Sequence, residues 1–350
     1  NKTINWKDPL YLENILSEEE RNIQKTTYNF CKSQLFPRVL KDNRKKYFDK
    51  NLYKEFGKLG FLGSTIKGYN CPGITNISYG LICKEFEAID SGYRSAISVQ
   101  SSLVMYPIYK FGSEDQKNEY LPKLSKGELL GCFGLTEDEA GSDPNSMKTN
   151  VISKNNGFVI NGSKNWITNA PISDIFIIWA KNQDNKINGY ILKKNDKGLS
   201  TSLIENKQSL LLSPTGQIFL DNVYIPKDRK LELTNGLSSV FQCLNKARYG
   251  IAWGVMGSAE FIWHKTKDYV ENRIMFKKPL ASNQLIQKKL SEMQIEINLG
   301  LASCLLSSKA LDEGKDIINA ISILKKNNCK KSLDIIRNAR DMLGANGLLE

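Results

Sequence analysis

Apolar residues recur at spacings of three and four from Leu12 to about Leu130, as at Leu52, Phe56 and Leu59 and again at Leu81, Ile82, Phe86 and Ile89. That period predicts a helical N-terminal region. Within it, Ser113 followed by Glu114, Asp115 and Gln116 reads as an N-cap with an acidic first turn, opening a helix that should stop before Pro122. Between about Gly131 and Pro226 the period changes. Short runs rich in β-branched and aromatic residues, at 158–160, 175–179, 190–192 and 217–220, are separated by Asn-Gly, Pro and Asp-Asn turn signals, with Asn161-Gly162 read as the turn that starts a hairpin. After Leu233 the helical period returns over about 236–271, 280–311 and 315–343, with Gly344 and Gly347 as terminators. The expectation is an α+β chain in three parts: a helical domain over 1–130, a small β domain over 131–232, and an incomplete C-terminal helical bundle over 233–350. Strands do not alternate with helices and no G-x-G-x-x-G follows a strand, so a Rossmann nucleotide site is not indicated.

Composition narrows the function classes. The 350 residues carry 49 Lys plus Arg against 37 Asp plus Glu, a net charge of +12, at 41% hydrophobic and 25% charged, which is the balance of a folded globular chain rather than a disordered one. Nine of the cations are arginine and the lysines are spread throughout. The basic runs at 41–46 and 325–331 are short, interrupted and without interleaved aromatics, so they read as solvated surface and not as a nucleic-acid site. Scarce arginine has a second use: where lysine is the habitual cation, an arginine marks a need for a planar fork, which singles out Arg94, Arg248 and Arg273. Seven cysteines without a C-x-x-C pair or nearby histidines argue against structural zinc and against a disulfide framework, and reduced thiols point to an intracellular compartment. The single histidine, His264, reads as a helix-side residue, because no Ser or Cys motif offers it a nucleophile. No uncharged apolar stretch of about 18 residues is present. The chain opens at Asn1 without Met or a basic amphipathic leader, so any targeting peptide is expected to be removed or not included.

Two segments carry candidate chemistry. The run CFGLTEDEAGSD at 132–143, with Gly134, Gly141, Thr136 and Ser142, would let backbone amides approach a flat polar ligand or a phosphate; a domain-crossing loop explains the same letters. Asn165-Trp166-Ile167-Thr168-Asn169 sets an indole plane beside a hydroxyl, suited to stacking on an aromatic heterocycle and donating to a ring nitrogen; a core tryptophan followed by a turn is the alternative.

Together these segments closely resemble the acyl-CoA dehydrogenase family, whose members carry an FGLTE loop and a WIT segment around the flavin of FAD. Within it the likeness is to the glutaryl-CoA dehydrogenase branch, through the runs at 87–96, 98–105 and 244–254, and it extends from Trp6 to Gly347. The resemblance implies that Phe133, Leu135, Thr136, Gly141 and Ser142 line the flavin and the start of the CoA arm. Trp166 and Ile167 would flank the isoalloxazine, with Thr168 hydrogen-bonding near its N5. It implies that Arg94 receives the far carboxylate of glutaryl-CoA. Glu87, seven residues earlier and so on about the same helical face, would hold that arginine, and Ser95 and Ser98 would add donors. A surface ion pair is the competing reading of Glu87 and Arg94. Leu244, Asn245, Arg248 and Tyr249 would lie along the acyl-CoA, Arg248 near the entrance and Tyr249 against the acyl tail. Arg273, Phe276 and Gln284 would reach the FAD of a neighbouring subunit, and Asp341, Leu343, Gly344 and Ala345 its adenine end.

The implied reaction is FAD-dependent oxidative decarboxylation of glutaryl-CoA to crotonyl-CoA and carbon dioxide in lysine and tryptophan degradation. Electrons would pass to an electron-transfer flavoprotein from a homo-oligomer, a tetramer in this family, in the mitochondrial matrix. Two departures stand out. The branch's catalytic base, a glutamate in a Tyr-Glu-Gly-Thr run, is expected beyond Glu350, so no catalytic residue is assigned within 1–350 and truncation of a longer protein is the expectation. Ala345 stands where a second glycine is usual, and the 273–279 run carries Met and Lys in place of Gln or Thr and Gly. The alternatives are a non-decarboxylating short- or branched-chain acyl-CoA dehydrogenase and a catalytically dead flavin- or CoA-binding scaffold.

Overall fold

A computed structural model describes Asn5, Trp6 and residues 8–349. In chain order the principal helices are α1 (Glu18–Phe30), α2 (Asn76–Glu87), α3 (Ser91–Ser98), α4 (Glu114–Ser125), α5 (Gly236–Asn272), α6 (Gln284–Asp312) and α7 (Ile318–Leu343). Seven strands form one sheet: β1 (Gly131–Gly134), β2 (Asn150–Lys154), β3 (Gly157–Thr168), β4 (Ile175–Lys181), β5 (Ile187–Lys193), β6 (Leu199–Leu203) and β7 (Thr215–Pro226). Two further two-residue strands, β8 (Ile274–Met275) and β9 (Lys278–Pro279), make a separate hairpin. The chain divides into two compact units, neither of them one stretch of sequence.

One unit gathers the residues up to Lys41, Thr75–Arg94, and the chain from Arg248 on. Its first long helix is nucleated locally. Ser17 accepts from the Glu20 amide and Glu20 accepts from the Ser17 amide, a reciprocal cap that satisfies two donors the helix start would leave bare. α1 packs on α2, α2 on α6 and α6 on α7. α5 comes close to α2 because glycines face it: a Cβ on Gly257 would fall 2.0 Å from the Lys84 carbonyl oxygen, and one on Gly80 would fall 2.4 Å from the Trp253 indole. The side chains of Met293, Ile297, Leu301 and Cys304 on α6, and of Ile321, Leu324 and Ile335 on α7, are out of water.

The other unit holds Asp42–Ile74 and Ser95–Ala247, and with them the sheet. Strand order is β1-β4-β2-β3-β7-β6, with β5 on β4; β1 runs parallel to β4 and β2 touches β4 at one parallel bridge, while every other pair is antiparallel. Ile160, Ile167, Phe176, Ile178, Leu192, Ile218, Val223 and Ile225 form its apolar interior. Ahead of the sheet, the helical run from Ser91 to Phe111 widens to i→i+5 pitch over Val99–Met105.

Two local expectations are corrected. Pro122 lies inside α4 and does not stop it. The missing N–H falls in the last turn, and Leu121 and Leu124 beside it are wholly buried, so packing holds the helix to Ser125. Asn161-Gly162 is no turn: both residues lie within β3, where the pairing with β7 slips between Ile160 and Gly162. Asn161 Oδ1 accepts from the Asn222 amide at 2.7 Å, so the Asn-Gly and Asp-Asn signals mark two sides of one bulge. A Cβ on Gly162 would sit 2.5 Å from Thr149 Oγ1, which is why glycine stands there. The hairpin turn is at Asn155 instead, where φ is 54°.

Candidate functional site

A second slip in the β3–β7 register falls between Lys164 and Ile167 and shapes the WIT segment. At this bulge the Asn165 amide leaves the sheet and donates to the Thr136 carbonyl at 2.8 Å. Trp166 takes left-handed backbone at φ 60°, its amide held by Asn165 Oδ1 at 2.8 Å, and its side chain is 60% exposed. A large side chain in that conformation persists only where its surroundings impose it. The core-tryptophan reading is therefore excluded, while Ile167 beside it is the buried one.

The loop at 134–143 meets this bulge through an ion pair that the sequence reading did not foresee. Lys164 is wholly buried, and its Nζ donates to Glu137 Oε1 at 2.8 Å and to the Leu135 carbonyl at 3.0 Å. Glu137 also accepts from the Lys148 amide at 2.6 Å and the Thr149 amide at 3.0 Å. Burial pushes the Lys164 ammonium down to about 8 against the pull of Glu137. Burial works to raise the Glu137 carboxyl, but Lys164 and the Thr149 and Lys148 donors outweigh it and hold it below the usual range. Phe133 and Leu135 are buried, Phe133 with its ring 5.9 Å from that of Trp179. Among the described residues, the hydroxyls of Thr136, Ser142 and Thr168 take no hydrogen bond, and a Cβ on Gly141 would meet nothing within 4 Å. An outward indole, three available hydroxyls and an open glycine suit a planar heteroaromatic ligand with a polar arm. Asn169, closing the segment, is an anchor: it is buried at φ 69°, and its Nδ2 donates to Tyr53 Oη at 2.7 Å.

In the helical unit, Arg94 Nε donates to Glu87 Oε2. The two do not share one helical face as expected. α2 ends at Glu87 and α3 starts at Ser91, because Asp90 Oδ1 accepts from the Gly92 amide at 2.6 Å and restarts the chain, so the pair spans a helix corner. Nor is it a surface pair: the side chains are 3% and 11% exposed for Glu87 and Arg94. Ser91 Oγ donates to the other Glu87 oxygen at 2.6 Å. Burial disfavours the guanidinium's charge, Glu87 more than offsets it, and Arg94 stays above its usual range. Among the described residues, neither Arg94 Nη nitrogen meets a hydrogen-bond acceptor. Gly254 on α5 gives the pair room, since a Cβ there would fall 2.7 Å from Glu87 Oε2.

The remaining expected residues fall in four groups. On α3, Ser98 is buried and Ser95 half-buried. On α5, Leu244, Asn245 and Arg248 are half-buried. Tyr249 is buried: its hydroxyl donates to the Asn76 carbonyl at 2.6 Å and lies 2.6 Å from Ser308 Oγ, with its ring stacked on Tyr79. Its polar end is occupied by helix packing, so its role against an acyl tail rests on the ring alone. Arg273 and Gln284 are exposed at either side of the β8–β9 hairpin, and Phe276 at its tip is 96% exposed. Gly344 and Ala345 are exposed in a turn after α7, where a methyl is accommodated; Leu343 is half-buried, and Asp341 pairs with Lys289 of α6. His264 lies on α5 with its ring 5.0 Å from that of Trp263. Glu350 lies outside the described residues.

A helical unit together with a unit whose sheet presents an outward tryptophan beside a hydroxyl-bearing loop defines a class, the acyl-CoA dehydrogenase fold. Residues 17–128 match the acyl-CoA dehydrogenase N-terminal domain, 132–223 the middle domain and 234–350 the C-terminal domain. The chain is similar to the glutaryl-CoA dehydrogenase of Desulfococcus multivorans, at 31% identity over 310 residues, 86% of this chain and 79% of that one. It is 32% identical over 291 residues, 82% of this chain, to a Bacillus subtilis (strain 168) protein named "Probable acyl-CoA dehydrogenase", and spans 49% of that relative's length. Its structure matches the glutaryl-CoA dehydrogenase from Mycobacterium smegmatis solved in complex with FADH2, with a TM-score of 0.97 and 39% identity over 99% of this chain and 90% of that one. The chain belongs to the acyl-CoA dehydrogenase family, whose members are flavin-dependent oxidoreductases. Relatives named for glutaryl-CoA and for acyl-CoA in general stand at nearly the same identity.

Proposed function

We propose that this protein binds FAD and carries out the oxidative decarboxylation of glutaryl-CoA to crotonyl-CoA and carbon dioxide. The residues fit the cofactor: Trp166 offers a face, Thr136, Thr168 and Ser142 offer donors, and Gly141 leaves room for close backbone approach. Bound FAD supplies the acceptor for the hydride that leaves the substrate's β-carbon. Donors around the thioester carbonyl would make the α-proton removable by a glutamate base of the kind the family resemblance implies. Arg94 would hold the far carboxylate until the bond to the γ-carbon breaks and it departs as carbon dioxide; the electron pair of that bond forms a dienolate of the thioester, which takes back at its γ-carbon the proton first removed from the α-carbon, giving crotonyl-CoA. Electrons then leave to an electron-transfer flavoprotein, and the exposed Phe276 hairpin meets a neighbouring subunit.

One observation carries the substrate choice: a nearly buried guanidinium whose Nε is fixed by Glu87 while its two terminal nitrogens meet no acceptor among the described residues. A carboxylate fills that fork with charge-assisted bonds; an alkyl end cannot. The test is binding of glutaryl-CoA and butyryl-CoA to wild type and Arg94→Gln. Glutaryl-CoA affinity should fall at least tenfold, about 1.4 kcal/mol, with butyryl-CoA nearly unaffected. Equal losses for both ligands would remove the reading. Oxidation of glutaryl-CoA without release of carbon dioxide would favour the non-decarboxylating alternative.

A further inference from the structure

We infer that Glu137 and Lys164 are a positioning pair that sets the flavin-facing loop against the WIT strand. This rests on the flavin reading above. Lys164 and its bulge neighbours Asn165 and Trp166 belong to β3, whereas Glu137 belongs to the loop, so the pair is the buried charged tie between two segments that Asn165 also joins, through the Thr136 carbonyl and Asp138. The lysine reaches in beneath Gly134, where a Cβ would sit 3.2 Å from its Cγ. It then fixes the two residues flanking Thr136, Leu135 by the carbonyl and Glu137 by the side chain. The Thr136 carbonyl is taken by the Asn165 amide, and among the described residues the Thr136 hydroxyl takes no hydrogen bond, which leaves it available to a ligand. The other Glu137 contacts, to the Lys148 and Thr149 amides, pull the return limb of the loop into the same knot.

Stability alone does not account for such a pair. A buried ion pair is commonly no better than apolar residues of the same volume, because desolvation offsets the attraction. The downward pull on the Lys164 ammonium shows that desolvation acting here. What the pair supplies that apolar residues cannot is direction: it fixes Leu135 and Glu137, on either side of Thr136, against β3, and so sets the angle at which the Asn165–Thr136 backbone bond is made.

The test is the double variant Glu137→Gln/Lys164→Met, which removes both charges and leaves no lone buried ion. Unliganded double variant should melt close to wild type. Its affinity for FAD should fall at least tenfold, and hydrogen exchange in the unliganded protein should quicken at amides 135–137 and 165–169 while β4 and β5 stay protected. Wild-type FAD affinity with unchanged exchange would overturn the inference. If the double variant does not fold, Glu137→Asp, which keeps the charge and withdraws the carboxylate by one methylene, should lower FAD affinity at least tenfold, and wild-type affinity there overturns it equally. Failure of the wild type itself to take up FAD would defeat the flavin reading, and the exchange measurement would still decide whether the pair positions the loop.

Discussion

Replacing Arg94 with Met separates the fold's need for the Glu87–Arg94 pair from the substrate's. The guanidinium and carboxylate are almost fully out of water, so removing the cation strands Glu87 as a buried anion, a change that costs about 3–5 kcal/mol in comparable sites. Glu87 keeps the Ser91 hydroxyl at 2.6 Å, a hydrogen bond to a charged group of about 1.5–3 kcal/mol, which places the expected loss near the lower end, about 3 kcal/mol. Glu87→Leu/Arg94→Met removes both charges at similar volume and should recover all but about 1.5 kcal/mol. Urea denaturation of the four proteins in the double-mutant cycle measures the coupling directly. The double variant, folded again, should bind glutaryl-CoA no better than butyryl-CoA. A loss under about 1 kcal/mol for Arg94→Met would mean that the pair is solvated after all, and the argument for a desolvated carboxylate site would fall with it.

Lys164 gives a pH signature of definite sign. A lysine that titrates at about 8 folded and 10.5 ordinarily releases its proton on folding between those values, so its contribution to stability rises with pH across that window and is flat below it. Urea midpoints should rise from pH 8 to pH 10 for wild type relative to Lys164→Met, which starts lower because it strands Glu137, and parallel curves would refute the assignment. Phe276→Ser, at a hairpin tip almost fully in solvent, should leave unfolding within about 0.5 kcal/mol yet reduce the assembled species seen by sedimentation velocity; unchanged assembly would exclude the hairpin as a subunit contact.

The long C-terminal helices and the Ser113 cap were legible from the letters because they are decided within a few residues. Ser113 and Gln116 close their reciprocal cap across three positions, and the three long C-terminal helices lie within a few residues of their expected bounds. The loop at 132–143 and the WIT segment were likewise legible as candidate chemistry. Their geometry was not. Asn161-Gly162 suits a turn and a bulge equally, and only the register with β7 chooses between them. The Glu87–Arg94 pairing was foreseen, but its burial and the helix corner between the partners depend on Asp90 and on Gly254 of a distant helix. Lys164 and Glu137, 27 residues apart, passed unnoticed because neither belongs to a local pattern. Periodicity and capping are short-range and survive in the sequence alone. Which charges lose their water, and which side chains are thrown outward from a strand, are set by segments far apart in the chain, and those exist as neighbours only once the tertiary structure has formed.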